Sequence, residues 1–437
     1  MYTKKRFFVL LTVCIIFFVI RFFIQWLGVL PFIFLGIFIL FVILDYVQLF
    51  FTKAFVFAKR SHAKRMSNGD SNEIKLSIEN KYSFPIQLEV IDEVPHQFQR
   101  RDIQYHFEMK GGESKNLMYH LRPVKRGEYD FGKINLFVSG PIGLLNRRFQ
   151  YGESYQVPVY PSYLQLHKFQ LFAISNKLVD SGLKLIRKIG HSMEFEQIKE
   201  YVAGDDFRTM NWKATARKGQ FMINNFTEEK SQQVYNVIDK SRVMKMPFEG
   251  LSLLDYAINA SLVLSNIALL KQDRAGLVTF AENISSFIPA DKKGFQMQRI
   301  LETLYRQKTR YLESDFEKLF ILLRRRVSQR SLIILYTNFE SINSMRRQLP
   351  YLKKISSYHL LLIVFFENTE LEKLANQKNE DIEDVYKKTL AENFMSGKRQ
   401  IVKELSQSGI MSILTEPEKL TVNVINKYLE IKSRQMI

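Results

Sequence analysis

Three kinds of patterning follow one another along the 437 residues and predict a mixed fold: an N-terminal two-helix transmembrane hairpin, a small antiparallel β-sandwich, and a doubly wound α/β domain. Two nearly unbroken apolar runs come first, at about residues 7–27 and 29–51. A stretch with period-two alternation runs from Gly69 to about Tyr160, and beyond residue 232 short apolar strands alternate with helical patterns. The divisions expected are residues 1–66, 67–160, 161–231 and 232–437.

Each apolar run has about the 20 residues that a membrane span requires. Thr12, Arg21 and Gln25 interrupt the first, and Asp45 and Gln48 the second. Gly28 and Pro31 make the turn between them. A signal peptide is the competing reading, with Lys4, Lys5 and Arg6 as its basic start, but Arg21 breaks the apolar region and a second span follows at once. Lys4, Lys5 and Arg6 at one end and Lys53, Lys59, Arg60, Lys64 and Arg65 at the other bracket the hairpin, whose turn has no Lys or Arg. The bias places both termini and the soluble domains in the cytoplasm. Arg21 then falls in the outer part of the bilayer and Asp45 in the inner part, and each is expected to reach its nearest interface.

In the next region Ile74, Leu76 and Ile78 alternate with polar residues, as do Ile103, Tyr105 and Phe107, then Leu117, Tyr119 and Leu121, then Ile134, Leu136 and Val138. Turn clusters at Lys81-Tyr82-Ser83, Gly111-Gly112 and Lys125-Arg126-Gly127 divide them. This is the pattern of a small sandwich similar to an immunoglobulin-like fold.

Residues 161–231 read as a polar linker loop around Gly204-Asp205-Asp206. Asp205 and Asp206, within a few residues of Arg208, Lys213 and Arg217, are expected to pair with Arg or Lys, and Trp212, with Phe195 and Tyr201, to give the loop an apolar underside that packs on the following domain. There, residues 234–239, 275–280, 332–336, 360–366 and 411–414 read as buried strands, apolar in succession as parallel strands should be. Helical patterns cover 251–271, 295–307, 315–326, 340–349 and 383–407, and Pro417 is expected to open a last helix to Lys432. Ligands of such sheets sit beyond the carboxyl ends of the strands, which brings Asp239 and Ser241 to the same rim as Thr337 and Asn338.

The string Glu194-Phe195, Glu200-Tyr201, Gly204-Asp205-Asp206, Arg208, Asn211-Trp212-Lys213 and Ala216-Arg217, ahead of a hydrophobic strand, resembles the domain-of-unknown-function-58 family of bacterial membrane proteins with a von Willebrand factor A-like domain. The family usually has Asp where this chain has Asn211. Ser139-Gly140-Pro141-Ile142-Gly143-Leu144 is similar to the family's Asp-Pro-x-Gly-Leu turn, with Gly140 in place of the Asp. The resemblance implies a two-pass protein of the bacterial cytoplasmic membrane, acting with an AAA+ ATPase of the MoxR type in assembly or chaperone-like work. In A-like domains the rim carries a metal held by Asp-x-Ser-x-Ser, a Thr and an Asp. Here the first loop reads Asp239-Lys240-Ser241-Arg242-Val243, the loop at 291–295 has no Thr, and Asn338 replaces the carboxylate. The expectation is a degenerate site without metal or other cofactor, with Lys292, Lys293 or a water near Asp239.

Other chemistry is thinly represented. The single cysteine, Cys14, excludes an intrachain disulfide and a Cys-rich zinc site, and the 7 histidines include no HExxH pair. There is no Walker lysine motif, no dinucleotide fingerprint and no Gly-x-Ser-x-Gly elbow to support a triad from His191, Ser192 and Asp205 or Asp206. A hydrolase using Glu194, Asp205 and Asp206 is the alternative function. The net charge of +19 admits a nucleic-acid reading, but Arg324-Arg325-Arg326 with Arg330, and Arg346-Arg347 with Lys353-Lys354, lack interleaved aromatics and read as solvated helix faces beside an anionic membrane. The expected partners are therefore the bilayer and a protein, with no nucleic acid and no catalysis.

Overall fold

The computed structural model describes residues 2–436 except 53, 101, 153–154, 163–192, 203–204, 206, 229–230 and 372–381. It divides into two units, Met1–Tyr160 and Pro161–Ile437.

In the first unit the apolar runs form helices Lys5–Phe23 and Leu30–Tyr46, the second continuing through a π-turn at Val47–Phe51. Both are long and apolar enough to span a membrane. Arg21 lies 4.6 Å from the ring of Phe32 on the facing helix. Asp45 does not reach for an interface. It is wholly buried, and its Oδ2 accepts hydrogen bonds from the amides of Leu144 and Leu145, both at 2.8 Å. The turn that resembles the family's Asp-Pro-x-Gly-Leu thus meets a carboxylate from the second helix. A side chain at Gly140 would crowd it, since a Cβ there would lie 3.0 Å from Asp45 Oδ1. The carbonyl of Leu49, left over at the helix end, accepts from Tyr82 Oη at 3.1 Å and Arg147 Nη1 at 2.6 Å. Tyr2–Thr3 adds an edge strand to the sandwich against Asn146 and Leu145. Helices and sandwich are therefore joined at three places.

The sandwich holds more strands than alternation alone reveals. One sheet runs Tyr2–Thr3, Leu145–Tyr151, Ile134–Ser139, Ile86–Asp92, Gln104–Met109, all antiparallel. Val56–Ser61, Asn72–Asn80 and Ser114–Leu121 form a second sheet, and Met66–Ser67, Tyr155–Tyr160 and Gly127–Phe131 a third with one short parallel pairing. Alternating side chains such as Ile74, Leu76, Leu88, Val90, Leu136 and Val138 make one core. Arg60, read from sequence as part of the basic membrane flank, belongs to this interior instead. It lies on strand Val56–Ser61 and pairs with buried Asp92, while Tyr119 Oη donates to the same carboxylate. The hydrogen bonds it gives hold its guanidinium firmly protonated against the opposing effect of burial.

The second unit carries a six-stranded sheet in the order Ile284–Asp291, Arg274–Phe280, Gln233–Asp239, Leu332–Tyr336, Leu360–Phe366, Met411–Thr415. Five strands are parallel, and the Ile284–Asp291 edge, absent from the sequence reading, is antiparallel. Helices cover both faces and produce two cores, one around Leu253–Leu270 and Leu420–Ser433, the other around Phe316–Arg326 and Ile342–Tyr358. Leu253–Leu270 is itself long and apolar enough to cross a membrane, but most of its side chains are buried against the sheet. Its start is fixed by a capping box between Ser252 and Asp255. Two helix ends differ from expectation. Ile342–Tyr358 runs through Pro350, and the last helix begins at Leu420 after a turn containing Pro417.

The described part of the expected linker loop is a folded element. Strands Met193–Glu200 and Met222–Glu228 pair antiparallel, and the short helix Trp212–Lys218 sits between them. Here Asn211 is the N-cap, its Oδ1 accepting from Ala214 N at 3.0 Å, and Gly219 closes the helix at φ +71°. Asparagine caps as well as aspartate, and its Nδ2 also reaches Asn224 Oδ1 at 2.7 Å.

Candidate functional site

Strand Gln233–Asp239 ends at the centre of the sheet, so its last residue emerges at the carboxyl rim. Asp239 is almost completely buried there. Its Oδ1 accepts from Ser241 N at 2.8 Å and from Ser314 Oγ, and its Oδ2 accepts from Thr337 Oγ1 at 2.7 Å. Burial pushes the carboxyl above its ordinary range, and the hydroxyl and amide donors oppose that shift. Ser314, which precedes helix Phe316–Arg326, was missed by sequence reasoning. The hydroxyl sought near residues 291–295 comes from this later loop, and only closure of the fold brings it across 75 positions to Asp239.

The lysine expected near Asp239 is not among its hydrogen-bond partners. Lys293 turns to Asp291 at 3.4 Å, whereas Lys398 Nζ on helix Ile382–Gln407 donates to Asn338 Oδ1 at 2.5 Å and Phe339 O at 2.6 Å. Burial lowers the Lys398 ammonium to about 8, with Glu340 opposing the shift. A divalent ion would find one carboxylate whose oxygens already receive hydroxyl and amide donors. Val243 has no side-chain oxygen to offer, and the Asn338 side chain is engaged by Lys398. One carboxylate among neutral hydroxyls brings a single negative charge, which would hold a hard metal only weakly. Among the described residues no three His, Cys, Asp or Glu side chains converge.

Two cavities open on this rim. A narrow cleft of about 50 Å³ is lined by Asp239, Ser241, Ser314, Thr337 and Asn338. Beside it, sharing Asn338 and Glu340, lies an apolar pocket of about 270 Å³ walled by Met246, Phe248, Leu253, Phe366, Phe394 and Met395, with Lys398 among its polar groups. An apolar pocket with a few convergent polar groups is the usual form of a binding site.

The motif residues stand elsewhere on the unit. Glu194 and Phe195 lie on strand Met193–Glu200 opposite Thr227 and Phe226, and Gly204 and Asp206 are outside the described residues, as are His191 and Ser192. Asp205 has the expected basic partner in Lys199 at 3.0 Å, from the strand before it, and also accepts from Val202 N. The Lys199 and Val202 donors hold its carboxyl below the usual range. Glu200 faces Lys218 at 3.6 Å. Tyr201 stacks obliquely on Phe207, and Trp212, expected to pack inward, is 68% exposed. Its helix is too short and its neighbours Asn211 and Thr215 too engaged with Met222 to turn that ring under the hairpin. The basic helix clusters are engaged in part, with Arg346 on Glu404 at 2.9 Å and Arg324 over the Tyr358 ring.

Comparison with known proteins adds the following. The uncharacterized protein YeaD of Bacillus subtilis (strain 168) is 23% identical over 202 residues, 43% of this chain and 48% of that protein, so the chain matches about half the length of this relative. Among solved structures, BatB from Bacteroides thetaiotaomicron is similar with a TM-score of 0.32 and 15% identity, covering 47% of this chain and 99% of BatB. An alpha-2-macroglobulin fragment from Escherichia coli is similar with a TM-score of 0.22 and 17% identity, over 25% of this chain and 17% of that one. A family model matches residues 197–388, a span that contains Asp239, Ser241, Ser314, Thr337 and Asn338, and its family is described as protein of unknown function DUF58.

Proposed function

We propose that this chain is a membrane-anchored, cytoplasm-facing protein-interaction module of the bacterial inner membrane, and that its α/β unit is von Willebrand A-like and binds a protein partner at the carboxyl rim without a metal. The observation that carries the reading is the apolar pocket beside the Asp239 cleft, because it offers a partner an anchor site next to a set of oriented hydroxyls. Two N-terminal helices long enough to span a membrane and the basic residues bracketing them support the anchoring and its direction. The resemblance to a family with MoxR-type AAA+ partners supplies the partner class. The catalytic alternative, which uses Glu194, Asp205 and Asp206, is less well supported, since Asp205 is matched to Lys199.

The test is co-purification of the full chain from membranes in mild detergent, with Phe394→Asp and Met395→Asp placed in the pocket wall. The expected result is an AAA+ ATPase recovered with the unaltered chain and lost with both variants. Recovery that both variants leave unchanged would overturn the rim as the docking place. Hydrolytic activity that Asp205→Asn abolishes would overturn the module itself.

A further inference from the structure

The hairpin element of residues 193–228 has an apolar and basic surface that the rim does not use. Val202, Phe207, Trp212 and Phe221 are each more than half exposed, a concentration of large apolar side chains that calls for a physical reason in so short a piece of chain. They are neighbours. Tyr201 N donates to Phe221 O at 2.8 Å, which joins the Val202 side of the turn to Phe221. The Tyr201 and Phe207 rings are 4.9 Å apart. Asn211 N, one residue before Trp212, donates at 2.8 Å to the carbonyl of Met222, one residue after Phe221. Met222 and Ile223 are buried, so the element has its own apolar interior and still turns these four side chains to solvent. Lys213 and Arg217 stand one turn apart on the short helix, exposed and without an ion pair among the described residues.

Aromatic rings beside unmatched cations are the side-chain chemistry of a bilayer interface, where Trp rests at headgroup depth and Lys and Arg meet anionic lipid. A protein groove for the same surface would have to bring its own acidic groups. An anionic bilayer supplies them, and the two N-terminal spans already hold this chain against one at high effective concentration. We propose that Val202, Phe207, Trp212 and Phe221, with Lys213 and Arg217, form a second and reversible membrane contact that docks on anionic lipid headgroups. The inference rests on the membrane-anchored reading but not on the rim.

The chain has two tryptophans, Trp26 and Trp212, and Trp26 lies in the turn between the spans. Trp26→Phe therefore leaves Trp212 as the only indole reporter in the full chain. The protein is reconstituted in nanodiscs of phosphatidylcholine alone or mixed with phosphatidylglycerol. With the anionic lipid, Trp212 emission is expected to move to shorter wavelength, to be quenched by lipid brominated near the headgroup, and to return toward its water-exposed value as salt is added. Lys213→Glu with Arg217→Glu, both at exposed positions, is expected to abolish all three effects. Equal quenching by aqueous iodide in both lipids would overturn the proposal and leave the surface in water. Shielding from both iodide and brominated lipid would overturn it in favour of a protein covering. A chain that does not enter the discs at all would overturn the anchored reading itself, a failure separable from the other two.

Discussion

Asp92 in the sandwich and Asp239 at the rim are both withdrawn from water, at 4% and 1% exposure, yet only the first is met by a cation. Arg60 gives Asp92 a two-nitrogen contact and Tyr119 a hydroxyl, so a full negative charge inside the sandwich is balanced where it stands. Asp239 receives hydroxyls from Ser314 and Thr337 and the amide of Ser241, all neutral, and these donors only partly oppose the burial that pushes its carboxyl up. Asp45 is a third arrangement, a carboxylate held by two backbone amides at the junction of helix and sandwich. The comparison separates scaffold from site. A matched buried pair locks the sheets that contribute it, whereas a carboxylate held by neutral donors beside a cleft keeps a cost of burial that an approaching donor from a partner can relieve.

The contrast is broken most directly at Arg60. Arg60→Ala leaves Asp92 buried without its cation, which costs about 3 to 5 kcal/mol in comparable pairs, and the melting temperature of the detergent-solubilised chain is expected to fall sharply. Replacing both partners at once, Arg60→Met with Asp92→Leu, should recover most of that loss. If the single change were mild, the pair would not be the lock described here.

A smaller effect is expected at Asp45. Asp45→Ala removes the acceptor for the amides of Leu144 and Leu145, and an unsatisfied buried donor costs about 1 to 3 kcal/mol. Gly140→Ala should destabilise the same junction by crowding the carboxylate. Protease protection of the Ser139–Leu144 turn reports the change locally, and undiminished protection in both variants would show that the amides find other partners.

The smallest effect, and the one of opposite sign, belongs to Asp239. Its folded pKa lies above that of the unfolded chain, at about 3.9 for a free Asp, so the folded form binds the proton more tightly. Stability from this group is fully present below that unfolded value and is lost as pH rises toward the folded one. Asp239→Asn is therefore expected to melt higher than the unaltered chain at neutral pH and to lose that advantage as pH falls toward about 4. A variant that melts lower at neutral pH would show that the hydroxyls outweigh the cost of burying the charge.

Much of this architecture is written in local pattern. Twenty-residue apolar runs, period-two alternation and strands that are apolar in succession each record how many faces of an element leave water, and that is a property of neighbours in the chain. For this reason the two apolar N-terminal helices, the sandwich strands at 74–78 and 134–138, and five strands of the α/β sheet stand where hydropathy puts them. Edge strands with mixed faces, such as Ile284–Asp291, leave a fainter trace because only part of each face is covered.

Partner choice among polar groups has no such local record. Arg60 reads as one more membrane-flanking cation until Asp92, 32 positions on, is folded against it, and Asp45 reads as a residue near an interface until a turn 99 positions away supplies its amides. Ser314 and Lys398 acquire their roles only when the loops and the late helix converge on the end of the central strand. Trp212 shows the converse, because an aromatic ring in a polar stretch suggests burial but the hairpin that carries it fills its interior with Met222 and Ile223 and leaves the indole outside. Periodicity reports how much of each side chain is buried, while the identity of the atoms that meet it is decided by chain closure over tens of residues, where one partner satisfies a buried charge and another leaves it costly.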